Sequence, residues 1–376
     1  MQIEKTRHVM VKHGEALWCS TPANNGANGP TWQWEDELLI GMTVGHAAVT
    51  DIGHQTDHDR EFNSWLARSE DGGETWQSWQ PKHYVGEGIL PQPLTAQPDT
   101  WRPTGPGATL RIEGSAYHGN GASGRGTATP RWYGSDDRGA SWRGPFTLAD
   151  VADHAELDGL EITSRTDYLI ESDRITLFGS ARRPSTQPNL NVLIEEKPFV
   201  ARSTDAGATF NWVGWIVPWN DTSRAVMPAT VSLGDTDLVT TLRRKSATGN
   251  WIDCYRSSDD GASWRYAAEV TRTEEANQFN GNPPALVAMT DGRLCCVYGN
   301  RSMRDICARY SSDAGDSWSE PHIVRSDFHS ANGWPDLGYP RLFQRGDGQL
   351  VTTYFWCDRA HTQTHIAASI FAPAAP

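Results

Sequence analysis

The sequence predicts an all-β fold, a six-bladed β-propeller that forms one domain over residues 1–376. Three observations lead to this prediction: a turn motif that occurs five times, a strand–turn–strand pattern that occurs six times, and the lack of a convincing helical period. Abundant Trp (17) and Gly (35) also favour many short strands joined by tight turns. We therefore expect repeated sheets around a central axis.

The turn motif is Ser-x-Asp-x-Gly-x-x-aromatic, and its aspartates are separated by 66, 68, 54 and 54 residues. Ser and Asp side chains in such a motif bond nearby backbone N–H groups, Gly supplies a positive φ, and the aromatic ring packs back onto the sheet. We interpret each copy as a hairpin turn and its acidic residues as structural, not catalytic. The five copies begin at Ser69, Ser135, Ser203, Ser257 and Ser311.

The second repeat is a strand, a turn and another strand, often with Asp-Gly at the turn, and its six copies predict six blades. One more strand, His365 to Ala372, follows the last copy. We expect the N-terminal strand, around Arg7 to Lys12, to complete that sheet and close the ring. The copies are Thr31 to Gly45, Gly107 to His118, Ser164 to Ala181, Met227 to Arg244, Pro284 to Tyr298 and Tyr339 to Trp356.

Charge and composition exclude several classes of protein. A formal net charge of -13 argues against a surface that binds nucleic acid or an anionic membrane. No apolar run approaches the roughly 20 residues that span a bilayer. The basic residues are 28 Arg and 5 Lys, a bias that fits either a high-GC genome or a site that binds an anion. The first twenty residues lack the pattern of a signal peptide, so we expect a cytoplasmic protein.

Cofactor and metal sites are not predicted. The six cysteines have no spacing typical of zinc ligands, and we expect them to be buried free thiols. The glycines between Gly119 and Gly124 superficially resemble a phosphate-binding loop but lack its strand-to-helix context, so we interpret them as a connecting loop. Oligomeric state is left open.

The turn motifs resemble the Asp-box (BNR) repeats of the sialidase superfamily, whose members are six-bladed propellers. The resemblance covers nearly the whole chain. Four further segments are similar to a bacterial sialidase-like branch; they begin at Arg224, Gly281, Tyr298 and Asp336. The resemblance implies a retaining exo-glycoside hydrolase whose partner is a carboxylate-bearing carbohydrate. That chemistry uses an Arg cluster for the carboxylate, a Tyr nucleophile activated by a carboxylate, and an Asp as acid and base.

Tyr339 lies where the family's nucleophilic Tyr is found, although Pro340 follows it where the family usually has Ser. A Tyr here is also consistent with a ring that packs at the centre and bonds a backbone carbonyl. The family's activating carboxylate is expected at the start of the fourth inner strand, where this chain has Met227. Glu161 from the third blade is the candidate to replace it.

The resemblance places the acid and base in the loop before the first turn motif. Asp59 is preferred there over Asp57, and His54 and His58 beside them are candidate substrate-binding residues. A dense ionisable run is also typical of a solvated loop, but catalytic groups concentrate in loops on rigid scaffolds.

The candidate carboxylate-binding arginines lie at starts or ends of inner strands. Because neighbouring residues of a strand alternate sides, only one of Arg243 and Arg244 faces the axis. The alternative for each arginine is a surface position or an ion pair between blades. The family's N-terminal Arg-Ile-Pro is absent, since Gly29 to Trp34 occupies its place. The full set is Arg165, Arg224, Arg243, Arg244 and Arg301.

Two other functions remain open from the sequence. One is a lyase on uronic-acid units, in which Tyr339 with His54 or His58 removes the C5 proton and an Arg neutralises the carboxylate; it needs no carboxylate at position 227. The other is a non-catalytic propeller that binds carbohydrate, with the Trp-rich segment Thr31 to Trp34 stacking on sugar rings. Most tryptophans in such a fold are core residues.

Overall fold

The computed structural model describes residues 6–14, 17–20, 32–49, 54–57, 59–60, 63–82, 93–98, 101–103, 105–113, 130–184, 194–275 and 281–375. These residues form six antiparallel sheets, and the prediction of an all-β six-bladed propeller is confirmed. The helical content of the described residues is one short helix, α1 (Ala149–Ala152), and a 3₁₀ turn (Ala155–Leu157). Within these ranges, no helix is long and apolar enough to cross a membrane.

The chain enters through an outer strand of the sixth blade and then builds the first two blades. The strands of this part are β1 (Arg7–Lys12), then β2 (Leu17–Ser20), β3 (Trp32–Trp34), β4 (Glu37–His46), β5 (Asn63–Ser69) and β6 (Gln77–Trp79) in blade one, and β7 (Thr109–Glu113), β8 (Arg131–Ser135) and β9 (Arg143–Thr147) in blade two.

Blades three to five are four-stranded meanders, and blade six has three consecutive strands closed by β1. Blade three contains β10 (Glu161–Glu171), β11 (Arg174–Arg182), β12 (Glu196–Ser203) and β13 (Asn211–Trp215). Blade four contains β14 (Arg224–Ser232), β15 (Leu238–Ser246), β16 (Gly249–Ser257) and β17 (Arg265–Glu275). Blade five contains β18 (Ala285–Ala288), β19 (Leu294–Asn300), β20 (Asp305–Ser311) and β21 (His322–Arg325). Blade six contains β22 (Gly338–Gln344), β23 (Leu350–Trp356) and β24 (His365–Phe371).

The second predicted hairpin, Gly107 to His118, is described only as far as Glu113, and its second half lies outside the described residues. Its first half is β7, which pairs directly with β8, the strand that leads into the turn motif of that blade. In blades three to five the strand in that position is the second strand of the inner hairpin. The short apolar run has the composition of an inner strand, and composition alone does not distinguish the first strand of a blade from the second.

The turn motifs are held by hydrogen bonds of their own side chains. In the first copy, Ser69 Oγ accepts the N–H of Gly73 at 2.7 Å, Asp71 Oδ1 accepts the N–H of Thr75 at 2.9 Å, and the Trp76 indole N–H donates to the Gly73 carbonyl at 3.0 Å. Burial opposes ionisation of Asp71, but the bonds from Thr75 and Ser69 lower its pKa. Its carboxylate is thus used to form the turn, as interpreted from the sequence.

The core lies mainly between neighbouring blades. One apolar cluster joins blades five and six, with Val297 and Ile306 packed near Leu342 and Trp356. The cysteines at 254, 295, 296, 307 and 357 are buried free thiols, as expected. Burial raises the pKa of Cys296 and Cys357 to about 12, so these thiols stay protonated at neutral pH.

Two inner strands begin with the same irregularity. A bulge falls between Val226 and Ala229 in β14 and between Gly338 and Arg341 in β22. The first residue inside each bulge, Met227 or Tyr339, has a positive φ of 59° or 53°, and each precedes a proline. Non-glycine residues rarely adopt this conformation, and bulges redirect the side chains they carry.

Candidate functional site

Tyr339 is the centre of the candidate site, which lies where the inner strands begin. Its side chain is buried, and its ring centroid lies 5.5 Å from that of His54 and 5.6 Å from that of Phe355. The guanidinium carbon of Arg301 lies 5.9 Å from the same ring centroid. The structure therefore brings together one predicted nucleophile, one predicted histidine and one predicted arginine.

Asp336 fixes the orientation of His54. His54 Nδ1 lies 2.8 Å from Asp336 Oδ1, and the N–H of Gln55 donates to Asp336 Oδ2 at 2.8 Å. Burial opposes ionisation of Asp336, but His54, Arg301 and the Gln55 N–H together hold its pKa below the ordinary value. An ionised Asp336 only accepts hydrogen bonds, so Nδ1 of His54 is the donor in this contact.

Asn282 holds the backbone of Tyr339 in its unusual conformation. The Tyr339 N–H donates to Asn282 Oδ1 at 3.0 Å, and the Asn282 side chain is fully buried. Gly338 leaves room for this contact: a Cβ at position 338 would lie 2.0 Å from Asn282 Oδ1, and the Gly338 φ is +111°. The Asn282 side chain and the neighbouring glycine therefore determine where the Tyr339 ring points.

The position expected to hold an activating carboxylate contains a sulfur atom. Met227 is fully buried in the same apolar cluster as Tyr339. Arg243 Nη1 lies 3.8 Å from Met227 Sδ, which places Arg243 on the Tyr339 side of its strand. Strand alternation did not decide which of Arg243 and Arg244 faces the axis. In the structure, Arg243 is the one that contacts this cluster.

Arg224 and Arg244 of blade four form ion pairs with carboxylates from blade three and from the connection between blades three and four. The Arg224 guanidinium binds the buried carboxylate of Glu196 from blade three, with Nε at 2.9 Å. Arg244 Nη2 lies 2.7 Å from both carboxylate oxygens of Asp221, and its Nη1 donates to the Tyr255 hydroxyl at 2.7 Å. These contacts fit the alternative reading of the two arginines as structural ion-pair partners.

Five further predicted residues remain, and the described contacts of three of them are with partners other than Tyr339. Asp57 accepts the Asp59 N–H at 3.0 Å, a turn contact, and Asp59 is exposed. Glu161 pairs with Arg182 of the next strand. His58 lies outside the described residues. The fifth, Arg165, has a described backbone in β10, but its side chain lies outside the description.

Two cavities differ in their relation to this site. A cavity of 270 Å³ is lined by Gln55 and Asp336, and by a loop segment that includes Thr362 and Thr364. A cavity of 430 Å³ lies at the other end of the central channel, along the later halves of the inner strands. Because the smaller cavity adjoins the His54–Asp336 pair, we assign it to the candidate site.

The larger cavity contains a carboxyl group that the sequence analysis did not single out. Asp167 lines it together with Arg341, and also accepts N–H groups from Thr230 at 2.7 Å and Tyr168 at 2.9 Å. Burial raises the pKa of Asp167 to about 7, against the effect of those bonds and of Arg341. Trp32 and Trp34 also line this cavity, away from the Tyr339 end.

Asp336 and Asn282 were missed as functional residues. Asp336 is three residues before Tyr339, and Asn282 lies in the Gly281-Asn-Pro-Pro segment, so both belong to segments that carried the family resemblance. The family resemblance therefore marked both segments. The spacing of residues along the chain, however, did not indicate which side chains Asp336 and Asn282 would contact.

Solved structures with similar folds share low sequence identity with the chain. A protein of unknown function from Dyadobacter fermentans is 18% identical, with a TM-score of 0.67, over 99% of this chain and 100% of its own. An α-L-arabinanase from Penicillium chrysogenum, solved with arabinobiose, is 14% identical, with a TM-score of 0.53, over 89% of this chain and 90% of its own. A Hadza microbial sialidase is 14% identical, with a TM-score of 0.54, over 96% of this chain and 66% of its own.

Sequence comparison gives the family. No curated protein matches the chain. The family model described as a BNR repeat-like domain matches residues 115–352, more than half of the chain, and covers four of the five turn motifs. The chain therefore belongs to the BNR repeat-like family and shares the six-bladed propeller fold of the sialidase superfamily.

Proposed function

We propose that the chain is a glycoside hydrolase that removes a carboxylate-bearing sugar from a glycan by a retaining, sialidase-like mechanism. The observation that carries this proposal is the cluster of Tyr339, His54 and Arg301, in which Asp336 orients the histidine. The BNR repeat-like family and the likeness to solved structures of a sialidase and an arabinanase support a glycosidase.

The proposed first step is attack by Tyr339 Oη on the anomeric carbon. His54 Nε2 takes the phenolic proton, and Asp336 stabilises the imidazolium that forms. The bond to the leaving oxygen breaks as Asp57 or Asp59, an acid from the loop that carries His54, protonates that oxygen. The deprotonated acid then takes a proton from water, whose oxygen displaces Tyr339, and the imidazolium of His54 returns its proton to the departing Tyr339 oxygen. The sugar thus keeps its original anomeric configuration.

Arg301 and Arg243 are the proposed carboxylate-binding groups. Both are buried; Arg301 lies over the Tyr339 ring, and Arg243 contacts Met227, which belongs to the same apolar cluster as Tyr339. A guanidinium in a buried setting binds a carboxylate more strongly than one in water, because charge-assisted hydrogen bonds strengthen at low dielectric. This pair favours substrates that carry an acid group.

The test is hydrolysis of a panel of aryl glycosides that includes sialosides, glucuronides and neutral arabinosides. Release of the aryl group from an acidic sugar, lost in Tyr339→Phe and kept in His154→Ala, supports the proposal. His154 is a matched control because its ring stacks on Trp212, in another part of the molecule. Equal release from neutral and acidic glycosides contradicts the assignment of the acid group.

A lyase on uronic-acid units is the second candidate, favoured by the methionine at position 227. Elimination needs a base and a cation at the carboxylate but no carboxylate to activate Tyr339, so Met227 is no obstacle to it. The reaction takes the C5 proton, expels the C4 oxygen and leaves a C4–C5 double bond. An absorbing unsaturated product from oligouronides, without aryl release from any glycoside, supports the lyase. Binding without either product supports a carbohydrate-binding propeller.

A further inference from the structure

Asp358, His361 and His365 form a cluster of metal-ligand side chains outside the proposed catalytic cluster. They lie in or beside the connection between β23 and β24, and one ligand atom from each lies within 4.8 Å of the others. Their spacing along the chain is Asp-x-x-His-x-x-x-His. Two imidazoles and a carboxylate on one short hairpin are donors suited to a divalent transition metal, because imidazole is a favoured ligand of such ions.

The donor atoms of the cluster face one another. His361 Nδ1 lies 3.2 Å from Asp358 Oδ1, and His365 Nε2 lies 3.8 Å from Asp358 Oδ2. His365 Nδ1 lies 3.2 Å from the carbonyl oxygen of Gln363, which makes Nδ1 the protonated nitrogen. A backbone carbonyl that binds one ring nitrogen in this way directs the other toward a metal, as in known histidine sites.

A third imidazole completes the surroundings of the cluster. The ring centroid of His13 lies 4.9 Å from that of His361 and 6.2 Å from that of His365. His13 directly follows β1 and is exposed, so its ring can turn toward a metal with little effect on the core. Such a turn would make it the fourth donor to a tetrahedral ion.

Arg325 is a positively charged group beside the cluster, and its charge would repel a bound cation. Its Nη2 lies 3.0 Å from Asp358 Oδ2, but its Nε lies 2.6 Å from Asp327 Oδ1, so a second carboxylate shares its charge. Asp358 Oδ1, the oxygen outside this guanidinium contact, lies beside the His361 ring and accepts the neutral N–H groups of Ala360 at 2.9 Å and His361 at 2.8 Å. The negative charge of Asp358 is therefore still available to the cluster.

We propose that Asp358, His361, His365 and His13 bind one divalent transition-metal ion of the Zn²⁺ type. The ion would join the end of β1 to the hairpin of β23 and β24. Thr362, Gln363 and Thr364 of this hairpin line the 270 Å³ cavity. The proposed role is structural: the ion stabilises a loop beside the candidate site and does not take part in the reaction.

The test uses the full chain, stripped with a chelator and transferred to metal-free buffer. Calorimetric titration with Zn²⁺ is expected to show one equivalent bound, and Co²⁺ is expected to give the visible absorption of an ion with nitrogen ligands. Zn²⁺ should raise the Tm, because an ion that binds only the folded state stabilises it. We expect His361→Ala to weaken Zn²⁺ binding by about tenfold or more and to abolish the Tm increase. His13→Ala should have a smaller effect.

His361 is the test position because its side chain is 37% exposed, whereas His365 is only 1% exposed and its replacement would disturb the core. His154→Ala is the control for weak binding to surface histidines, and it should bind Zn²⁺ as the wild type does. The proposal is overturned if the wild type shows no saturable binding of Zn²⁺ or Co²⁺. Equal affinity in the wild type and His361→Ala overturns it as well.

Discussion

Asp336 Oδ1 lies 2.8 Å from His54 Nδ1, although the two residues are 282 positions apart in the chain. His54 follows the inner hairpin of blade one, and Asp336 precedes the inner strand of blade six. Their pairing therefore spans the place where the ring closes. Any catalytic role of His54 depends on the correct seating of the first blade against the last.

Replacement of His54 is expected to reduce turnover with little effect on folding. For His54→Ala we expect kcat to fall by about 10²–10⁴, the usual range for loss of a general base. His54→Gln should be equally impaired, because an amide does not accept the proton. The measurement is kcat on the best substrate of the panel, with the Tm recorded for each variant. Unchanged kcat in both variants would remove His54 from the mechanism.

A carboxylate introduced at position 227 tests how Tyr339 is activated. Arg243 Nη1 lies 3.8 Å from Met227 Sδ, so the charge of Met227→Glu has a cation beside it. If His54 is the base, Met227→Glu alone should change kcat by less than about tenfold. In the His54→Ala background, however, it should restore part of the lost activity. Met227→Gln, of similar size and without charge, is the matched control and should restore none.

Asn282 contacts both the Tyr339 backbone and Gly338. Substitutions at positions 282 and 338 should therefore have non-additive effects on the free energy of unfolding. Asn282→Ala leaves the buried Tyr339 N–H without this acceptor, which costs about 1–3 kcal/mol. Gly338→Ala should cost more, because its Cβ would lie 2.0 Å from Asn282 Oδ1. In the double variant the clash is gone and only the strain of the positive φ remains, so the second substitution should cost less there. Urea unfolding measures all four proteins, and strictly additive values would contradict the geometry.

Because Asp167 is buried, we expect the free energy of unfolding to fall as the pH rises from about 4 to about 7. Burial raises its pKa to about 7, so the folded protein holds this proton more tightly than the unfolded chain. The stabilisation of the folded state by this bound proton is therefore complete below about pH 4, the ordinary pKa range of an aspartate. It is lost as the pH rises through about 7. The wild type should therefore lose stability relative to Asp167→Asn as the pH rises over this range. Urea midpoints from pH 4 to pH 8 measure it.

Asp305→Asn is the matched control for the pH experiment. Burial raises the pKa of Asp305 to about 6, so its effect has the same sign but should end about one pH unit lower. A wild-type protein that gains stability relative to Asp167→Asn as the pH rises would contradict the assignment of a raised pKa to Asp167.

The turn motifs made the fold predictable, because each copy forms its own hydrogen bonds within a few residues and thus leaves a local signal. Asp71 with Thr75 is such a case. Tyr339 was found because its segment carries a family pattern. Its partner Asp336 was not, because a contact between the first and last blades has no fixed spacing in the chain. The arginines at 243 and 244 were partly predictable. Strand alternation shows that their side chains point to opposite sides, but only the packed blade shows that Arg243 is the one that faces Met227.

The pairing of β1 with β24 has a consequence for how the chain is made. Arg7 pairs with Ile370, so the outer strand of blade six is synthesised before the other strands of the propeller and gains its partner only after they have been made. Until then β1 has an unpaired edge, which is open to association with other strands. His13, which follows β1, and the hairpin that holds His361 also meet only at this stage. All of the other described strands must be made before the sheet that carries Tyr339 is closed.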